Sequence, residues 1–510
     1  MDRGDSTVGW PTRDLLATRA ETTPERTGLV ESETGTTWSY RELSETVSEG
    51  ASGLRAQLPA VPTEREQRPR IGFLLSPGPG FVTTLYAIWR LGWVAVGLHT
   101  KLTAAELETH VEAAAVDAVV VDRESQSLAS NLDCPAIPVG SLTPNERSEN
   151  RTIEPEPDEA PIELAEWMPD ETALILFTSG TTGEPKGVRL TLGNLVASAT
   201  ASAFRLGVDS SDRWLCCLPV FHMGGLAPAV RTVLYGTTLV VQREFDVAET
   251  ARTLDEHRIT EVSLVPTQLK RLLDAGWSPG PALDTVLLGG APATDALLDR
   301  ADSAGVPAYP TYGMTETASQ ISTTTPGERR AHPGTVGQPL VCTDVTVLDD
   351  GQPVGPGEHG ELVVDGPTVT PGYLDTTHTA DAFGEYGFHT GDVGYRDENG
   401  RLWIVGRRDE VIVTGGELVA PDEVVEVLAT HEGVDDVAVV GLPDEEWGEQ
   451  VAAVVVGRGD ESPTEATLRE HCRERLASFK LPKTVEFVDE IPRTGSGTVD
   501  REAVRKVLER

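Results

Sequence analysis

The segment Phe177-Thr178-Ser179-Gly180-Thr181-Thr182-Gly183-Glu184-Pro185-Lys186-Gly187 decides how the rest of the chain is read. It continues an apolar run, Ala173-Leu174-Ile175-Leu176-Phe177, with the length and composition of a short buried strand. Four hydroxyl side chains, three glycines and one lysine follow within eleven positions. Glycine lets the backbone turn sharply and bring its N–H groups close to a ligand, while hydroxyls and a lysine donate to phosphate oxygens. A loop of this composition suits a polyphosphate. It is not the common P-loop, because Pro185 precedes the lysine and Gly187 follows it. A plain Ser/Gly surface turn is the competing reading, but the chain has only six lysines, and one of them stands here.

Length and charge bound the answer further. A chain of 510 residues exceeds what one hydrophobic core organises, so two or more domains are expected. With 81 acidic against 42 basic residues the net charge is −39, which argues against nucleic acid or an anionic membrane as partner. Arginine is used almost to the exclusion of lysine, and the combination suggests a halophile. In molar salt a dense carboxylate surface keeps a protein soluble, and the Debye length shrinks to roughly 3 Å. The five cysteines show no C-x-x-C spacing, so neither a disulfide framework nor a zinc site is indicated, and Cys216-Cys217 reads as a pair of buried, inert thiols. Met1 to Asp5 is polar and no apolar leader follows. The one apolar stretch long enough for a membrane, Phe81 to Leu98, carries Arg90 and Gly92 at its middle and reads as a core helix running into a buried strand. A cytoplasmic enzyme without membrane insertion is expected, its oligomeric state left open, a homodimer included.

Along the chain, helical patterns alternate with short apolar strands at 71–75, 93–97 and 118–121, then at 213–218, 238–241, 261–265, 285–288 and 307–310. The alternation implies βαβ units and parallel sheets. Residues 143–170 read as an acidic linker. Between Thr343 and Val364 the period changes to two, suggesting a small antiparallel section. Beyond Asp409, a helix opening at Pro421-Asp422-Glu423, strands at 437–440 and 451–455 and a helix over 464–476 make a unit of domain size.

Four clusters join the glycine loop. Leu287-Leu288-Gly289-Gly290-Ala291-Pro292 is a strand ending in paired glycines, where a flat ring could lie against the backbone. Tyr312-Gly313-Met314-Thr315-Glu316 combines an aromatic ring, a hydroxyl and a carboxylate able to ligate Mg²⁺. Thr390-Gly391-Asp392 offers a carboxylate at a tight turn, able to accept from both hydroxyls of a ribose. Gly406-Arg407-Arg408-Asp409 is followed by Thr414-Gly415-Gly416-Glu417. Each alone is compatible with an ordinary turn. Their order and spacing carry the signal.

In that order the chain resembles the adenylate-forming superfamily of acyl-CoA synthetases, luciferases and peptide-synthetase adenylation domains, over nearly all of its length. The resemblance implies a large N-terminal α/β domain of parallel sheets with a small β section (1–406), a hinge (407–409) and a small, mobile α+β domain (410–510). It implies that Thr178, Ser179, Gly180, Thr181, Thr182, Gly183 and Lys186 embrace the phosphates of ATP. Gly289, Gly290, Ala291 and Tyr312 would bind adenine, with Gly313 and Met314 in the same nucleotide site. Thr315 would contact the α-phosphate, Glu316 would hold Mg²⁺, and Asp392 and Arg407 would hold the ribose. Asp409 falls on the hinge, and Gly415 and Gly416 on the loop that lines the pantetheine tunnel for coenzyme A.

Within the superfamily, Leu218 to Leu226, Val265-Pro266-Thr267-Gln268-Leu269 and Tyr312 to Gln320 look like the o-succinylbenzoate–CoA ligases of menaquinone biosynthesis. That acid has two carboxylates, only one of which is activated, so a donor or cation must meet the other. His222, Arg231, Arg271, Ser319 and Gln320 are candidates by motif position. The bland reading of either arginine is a solvated helix face, and of His222 a core histidine. One departure stands out: the family ends in Pro-Arg-Thr-x-Ser-Gly-Lys, and here Thr498 replaces the lysine. Arg501 and Lys483 are the nearest substitutes in sequence. A ligase for another aryl or medium-chain acid, and an adenylation-impaired nucleotide-binding paralogue, are the alternatives.

Overall fold

The computed structural model describes residues 14–58, 68–142, 162–179, 185–415, 417–444, 447–459, 463–473, 475–493 and 499–509. The chain divides into two compact units, Met1–Asp344 with Val364–Phe388 and Val345–Val363 with His389–Arg510. The partition expected at 407–409 falls inside the second unit, between the strands Leu402–Arg407 and Ile412–Thr414.

The first unit is built on two sheets. One runs in the order Ala136–Pro138, Ala118–Val121, Arg70–Leu74, Val94–Gly97, Thr172–Ser179, Pro185–Thr191. Its first five strands are parallel, and the last returns antiparallel. The other runs Ser322–Thr323, Ala308–Tyr312, Thr285–Leu288, Glu261–Leu264, Arg213–Cys216, Thr238–Val241, Thr27–Glu31, Thr37–Ser39, parallel except at its two edges. The interior strands are buried on both faces, which is why they read as unbroken apolar runs rather than alternations. Phe81 to Leu98 resolves as expected into the helix Pro79–Arg90 and the strand Val94–Gly97. Arg90 is buried at the end of that helix, where its Nε donates to Asp14 at 2.6 Å and its Nη1 to the Ser44 carbonyl and the Ser48 hydroxyl. A buried guanidinium is tolerable only with its donors matched in this way. Cys216 and Cys217 are buried free thiols, and burial pushes the Cys217 thiol up to about 12. The expected linker lies mostly outside the described residues.

The second unit holds the strands Asp344–Asp349, Gly360–Asp365, Gly387–Arg396 and Leu402–Arg407 in an antiparallel section, where Val345 and Val347 alternate inward as their spacing predicts. Its other sheet orders Glu417–Val419, Ile412–Thr414, Gly448–Gly457 and Val434–Asp444, with Thr484–Phe487 parallel to Gly448–Gly457. The helices Pro421–Ala429 and Glu465–Arg473 bury Val424, Leu428 and Leu468 in one core with Val437, Val439 and Val451. Across the described residues no helix is long and apolar enough to span a membrane.

Candidate active site

Pairing of Thr172–Ser179 with Pro185–Thr191 sets Thr178 opposite Lys186, so the two strands flanking the glycine loop form an antiparallel hairpin and its lysine stands on the return strand. Gly180, Thr181, Thr182 and Gly183 lie outside the described residues. The Thr178 hydroxyl donates to the Lys186 carbonyl at 3.5 Å. A second segment runs beside the return strand: Leu374 N donates to the Gly187 carbonyl, and Val188 bridges Tyr373. Gly187 lets Leu374 pack close, since a Cβ there would lie 2.4 Å from Leu374 Cδ1 and that side chain would have to shift. The contact brings Tyr373 under Lys186, whose Nζ lies 5.7 Å from the ring centroid. The Tyr373 hydroxyl donates to Glu316 Oε1 at 3.0 Å, and Thr370 N donates to the Glu316 carbonyl at 2.7 Å. Glu316 is 8% exposed, a carboxylate held still in a dry setting. Among the described residues no three of His, Cys, Asp and Glu gather into a metal cage. A single braced carboxylate is instead the donor set expected where Mg²⁺ arrives on substrate phosphates.

Glu316 sits on the 3₁₀ turn Thr315–Thr317, which follows the strand Ala308–Tyr312. That strand is parallel to Thr285–Leu288 with Leu288 beside Pro310, so Gly289, Gly290 and Ala291 emerge next to Tyr312 and Gly313. Ligands of open parallel sheets collect at such carboxyl ends. Two of the glycines are sterically required. A Cβ on Gly289 would lie 2.7 Å from Thr311 Cγ2, and one on Gly313 would lie 1.8 Å from the Ser319 carbonyl oxygen. Tyr312, Met314 and Thr315 are half-buried, while Gly290 and Ala291 are exposed.

His222 precedes the helix Met223–Tyr235 and lies against two aromatic rings, Phe221 at 4.6 Å and His99 at 5.9 Å between centroids. Solvent reaches its ring, yet the protein packed around it and the His99 imidazole hold its pKa down to about 4. It is neither a core histidine nor a cation at neutral pH. His99, which sequence reasoning missed, follows the strand Val94–Gly97, and its Nδ1 accepts from Lys101 N at 3.0 Å. The two arginines separate: Arg271 is exposed as a solvated helix face would be, whereas Arg231 is 1% exposed with its guanidinium 5.1 Å from the Trp214 ring centroid. The solvated reading therefore fails for Arg231.

In the second unit, Arg407 Nη1 donates to the Thr390 carbonyl at 2.8 Å and to Asp392 Oδ1 at 3.1 Å, across the pairing of Asp392 with Arg407. The Thr390 hydroxyl donates to the Leu362 carbonyl while accepting from Asp392 N, which fixes a kink at Gly391 (φ +72°) within the strand Gly387–Arg396, where the sequence suggests a tight turn. Burial disfavours the Arg407 charge, but Asp392, Asp409 and Glu410 outweigh it and hold its pKa above the usual arginine value. Asp409 is exposed, its Oδ1 3.9 Å from Arg407 Nε. Gly415 adopts φ +61° against the Trp447 indole, 2.6 Å from where a Cβ would be. Gly416 and Thr498 lie outside the described residues. Of the cations nearest Thr498 in sequence, Arg501 pairs with Glu410 at 3.1 Å, and Lys483 lies 4.9 Å from the Trp447 ring centroid and 3.8 Å from Asp444 Oδ2.

The chain matches known proteins over nearly its whole length. Residues 16–374 match the AMP-binding enzyme family and residues 423–498 the AMP-binding enzyme C-terminal domain. A 2-succinylbenzoate–CoA ligase of Bacillus pumilus is 36% identical over 491 residues, 96% of this chain and 97% of that protein. Among solved structures, the o-succinylbenzoate CoA synthetase of Bacillus subtilis in complex with the acyl-adenylate intermediate OSB-AMP superposes with a TM-score of 0.87 at 33% identity, covering 97% of this chain and 98% of that one. The same synthetase with ATP and magnesium gives 0.84 at 33% identity, over 98% of this chain and 99% of that one.

Proposed function

The chain belongs to the AMP-binding enzyme family, and from that premise we propose that it is an ATP- and Mg²⁺-dependent 2-succinylbenzoate–CoA ligase of menaquinone biosynthesis. The observation that carries this reading is full-length similarity to ligases of that name, together with the Lys186–Tyr373–Glu316 arrangement at the phosphate hairpin.

A carboxylate is a poor acylating agent because oxide would have to leave. One carboxylate oxygen of the acid attacks the α-phosphorus of ATP, the bond to the bridging oxygen breaks, and diphosphate departs. The acyl adenylate then has AMP as its leaving group, and the coenzyme A thiol, giving up its proton, displaces AMP from the acyl carbon. No side-chain nucleophile is required, so positioning and electrostatics supply the rate. Lys186 and the residues from Thr178 to Gly183 hold the departing diphosphate. Thr315 faces the α-phosphate, and Glu316 anchors Mg²⁺, which neutralises phosphate charge. Gly289 to Ala291 and Tyr312 to Met314 take the adenine, and Asp392 and Arg407 the ribose. His222, neutral, lines the acid pocket. Asp409 is the hinge between residues 1–406 and 410–510, and Gly415 and Gly416 line the coenzyme A path. The acidic surface marks a halophilic, cytoplasmic enzyme. Purified protein in molar KCl, offered ATP, coenzyme A and a panel of acids, is expected to form the thioester selectively with o-succinylbenzoate. Preference for another aryl or medium-chain acid would overturn the substrate assignment, and nucleotide binding without turnover the assignment as a ligase.

A further inference from the structure

Immediately after the turn that carries Glu316, two residues with side chains adopt left-handed backbone, Ala318 (φ +51°) and Ser319 (φ +124°). The second value lies where β-substituted residues are seldom found, and such conformations persist only when the surroundings over-determine them. The surroundings here are specific. Ser198, buried on the helix Leu192–Leu206, donates to the Ala318 carbonyl at 2.7 Å. Arg231 Nη2, from the helix Met223–Tyr235, donates to Gln320 Oε1 at 2.8 Å and to Ser319 Oγ at 3.3 Å. Gln320 passes the restraint on, its Nε2 donating to Thr323 Oγ1 at 2.7 Å. In front, the Ser319 carbonyl presses so close to Gly313 that no side chain fits there.

Arg231 is an expensive way to hold a turn. Its guanidinium is buried, its hydrogen-bond acceptors are neutral though the Glu261 carboxyl acts on it electrostatically, and among the described residues its Nε has no hydrogen-bond partner. A buried cation with incomplete partners costs stability, which makes a role beyond folding worth seeking. It is buried in the core, and its acceptors lie on Ser319 and Gln320, two and three positions beyond Thr317.

We propose that Arg231 is a positioning residue of the nucleotide site: it clamps the strained Ala318–Ser319 turn from inside the core and thereby fixes the Glu316 carboxylate for nucleotide-borne Mg²⁺. The proposal rests on Glu316 as the Mg²⁺ ligand. Tyr373 and Thr370 hold Glu316 from one side, and Arg231 and Ser198 hold the chain on the other.

The test is calorimetric titration of ATP into the full-length protein in molar KCl over a series of Mg²⁺ concentrations, with no acid present. Arg231→Leu is expected to raise the Mg²⁺ concentration needed for half-enhancement of ATP affinity by about tenfold, the coupling typical of residues that share a network. Ser319→Gly provides the internal control, because glycine accepts φ +124° without strain and leaves the turn less dependent on its clamp. In that background Arg231→Leu should shift the Mg²⁺ dependence by less than about threefold. A folded Arg231→Leu protein with unmoved Mg²⁺ dependence, or one whose shift is the same in both backgrounds, overturns the clamp. Should the leucine variant not fold, Arg231→Lys is read in the same way, with a shift of about threefold expected and none overturning. Glu316→Gln separates the premises: if it leaves the Mg²⁺ dependence unmoved, the metal assignment fails and the clamp with it. If only the Arg231 variants are silent, the clamp alone fails.

Discussion

On the proposed reading, Lys186, Tyr373 and Glu316 carry the chemistry at residue scale. Lys186→Ala should slow adenylation on the order of 10²-fold in ATP–diphosphate exchange, because it removes a preorganised charge from the leaving group. Tyr373→Phe deletes only the hydroxyl that donates to Glu316. A hydrogen bond to a charged group contributes about 1.5–3 kcal/mol, so a loss of roughly tenfold or more in the same exchange is expected, and an unchanged rate would remove Tyr373 from the site. Thr498→Lys should leave adenylation unchanged while Arg501→Ala slows it. Acceleration by Thr498→Lys, with Arg501→Ala and Lys483→Ala silent, would show the position to be vacant. His110 gives a pH signature. Its ring stacks on Phe177 at 4.2 Å, and burial, with His99, pushes its pKa down to about 4. As pH falls from about 6.5 to about 4 the unfolded chain takes up a proton that the folded one refuses, so stability drops through that window. His110→Phe should flatten the drop when urea midpoints are compared at pH 7 and pH 4.5. Lys186 and Glu316 could be nominated from the sequence because hydroxyls, glycines and charges at fixed spacing suit a phosphate site. The placement of Tyr373 and of Arg231 was not legible, since a hydroxyl reaching across 57 positions and an arginine turned into the core are set by tertiary packing alone.

At the scale of elements, the apolar runs gave their strands away because both faces of a parallel sheet are buried, and period-two spacing marked the antiparallel section. The hairpin was less visible. Its return strand begins with Pro185, Lys186 and Gly187, residues that read as loop, and it forms because Pro185 stands at the first position and the antiparallel register with Thr172–Ser179 satisfies the backbone. Gly415 makes the element-scale prediction. A side chain there would meet Trp447 and would have to adopt φ +61°. Gly415→Ala should therefore impair thioester formation from preformed acyl adenylate and spare ATP–diphosphate exchange. Loss of both half-reactions in equal measure would contradict its place on the coenzyme A path.

For the whole molecule, charge is the governing quantity. Repulsion among 81 carboxylates should loosen the fold in dilute buffer, so activity should climb steeply with KCl and then level off. Activity that is highest at low salt and falls steadily would end the halophilic reading. The net charge of −39 is legible at once, because charge sums over a chain without any knowledge of its fold, and the halophilic reading is proposed from it. The acid substrate is different in kind: it depends on a pocket surface that motifs only outline, and His222 beside His99 is the part of it that we propose. The most direct test of the account is thioester formation from ATP, coenzyme A and o-succinylbenzoate in molar KCl, followed by release of AMP and appearance of the acyl-CoA. The account predicts stoichiometric AMP, diphosphate and o-succinylbenzoyl-CoA, with other aryl acids turned over far more slowly. Adenylate without thioester, or a thioester formed faster with a different acid, would contradict it.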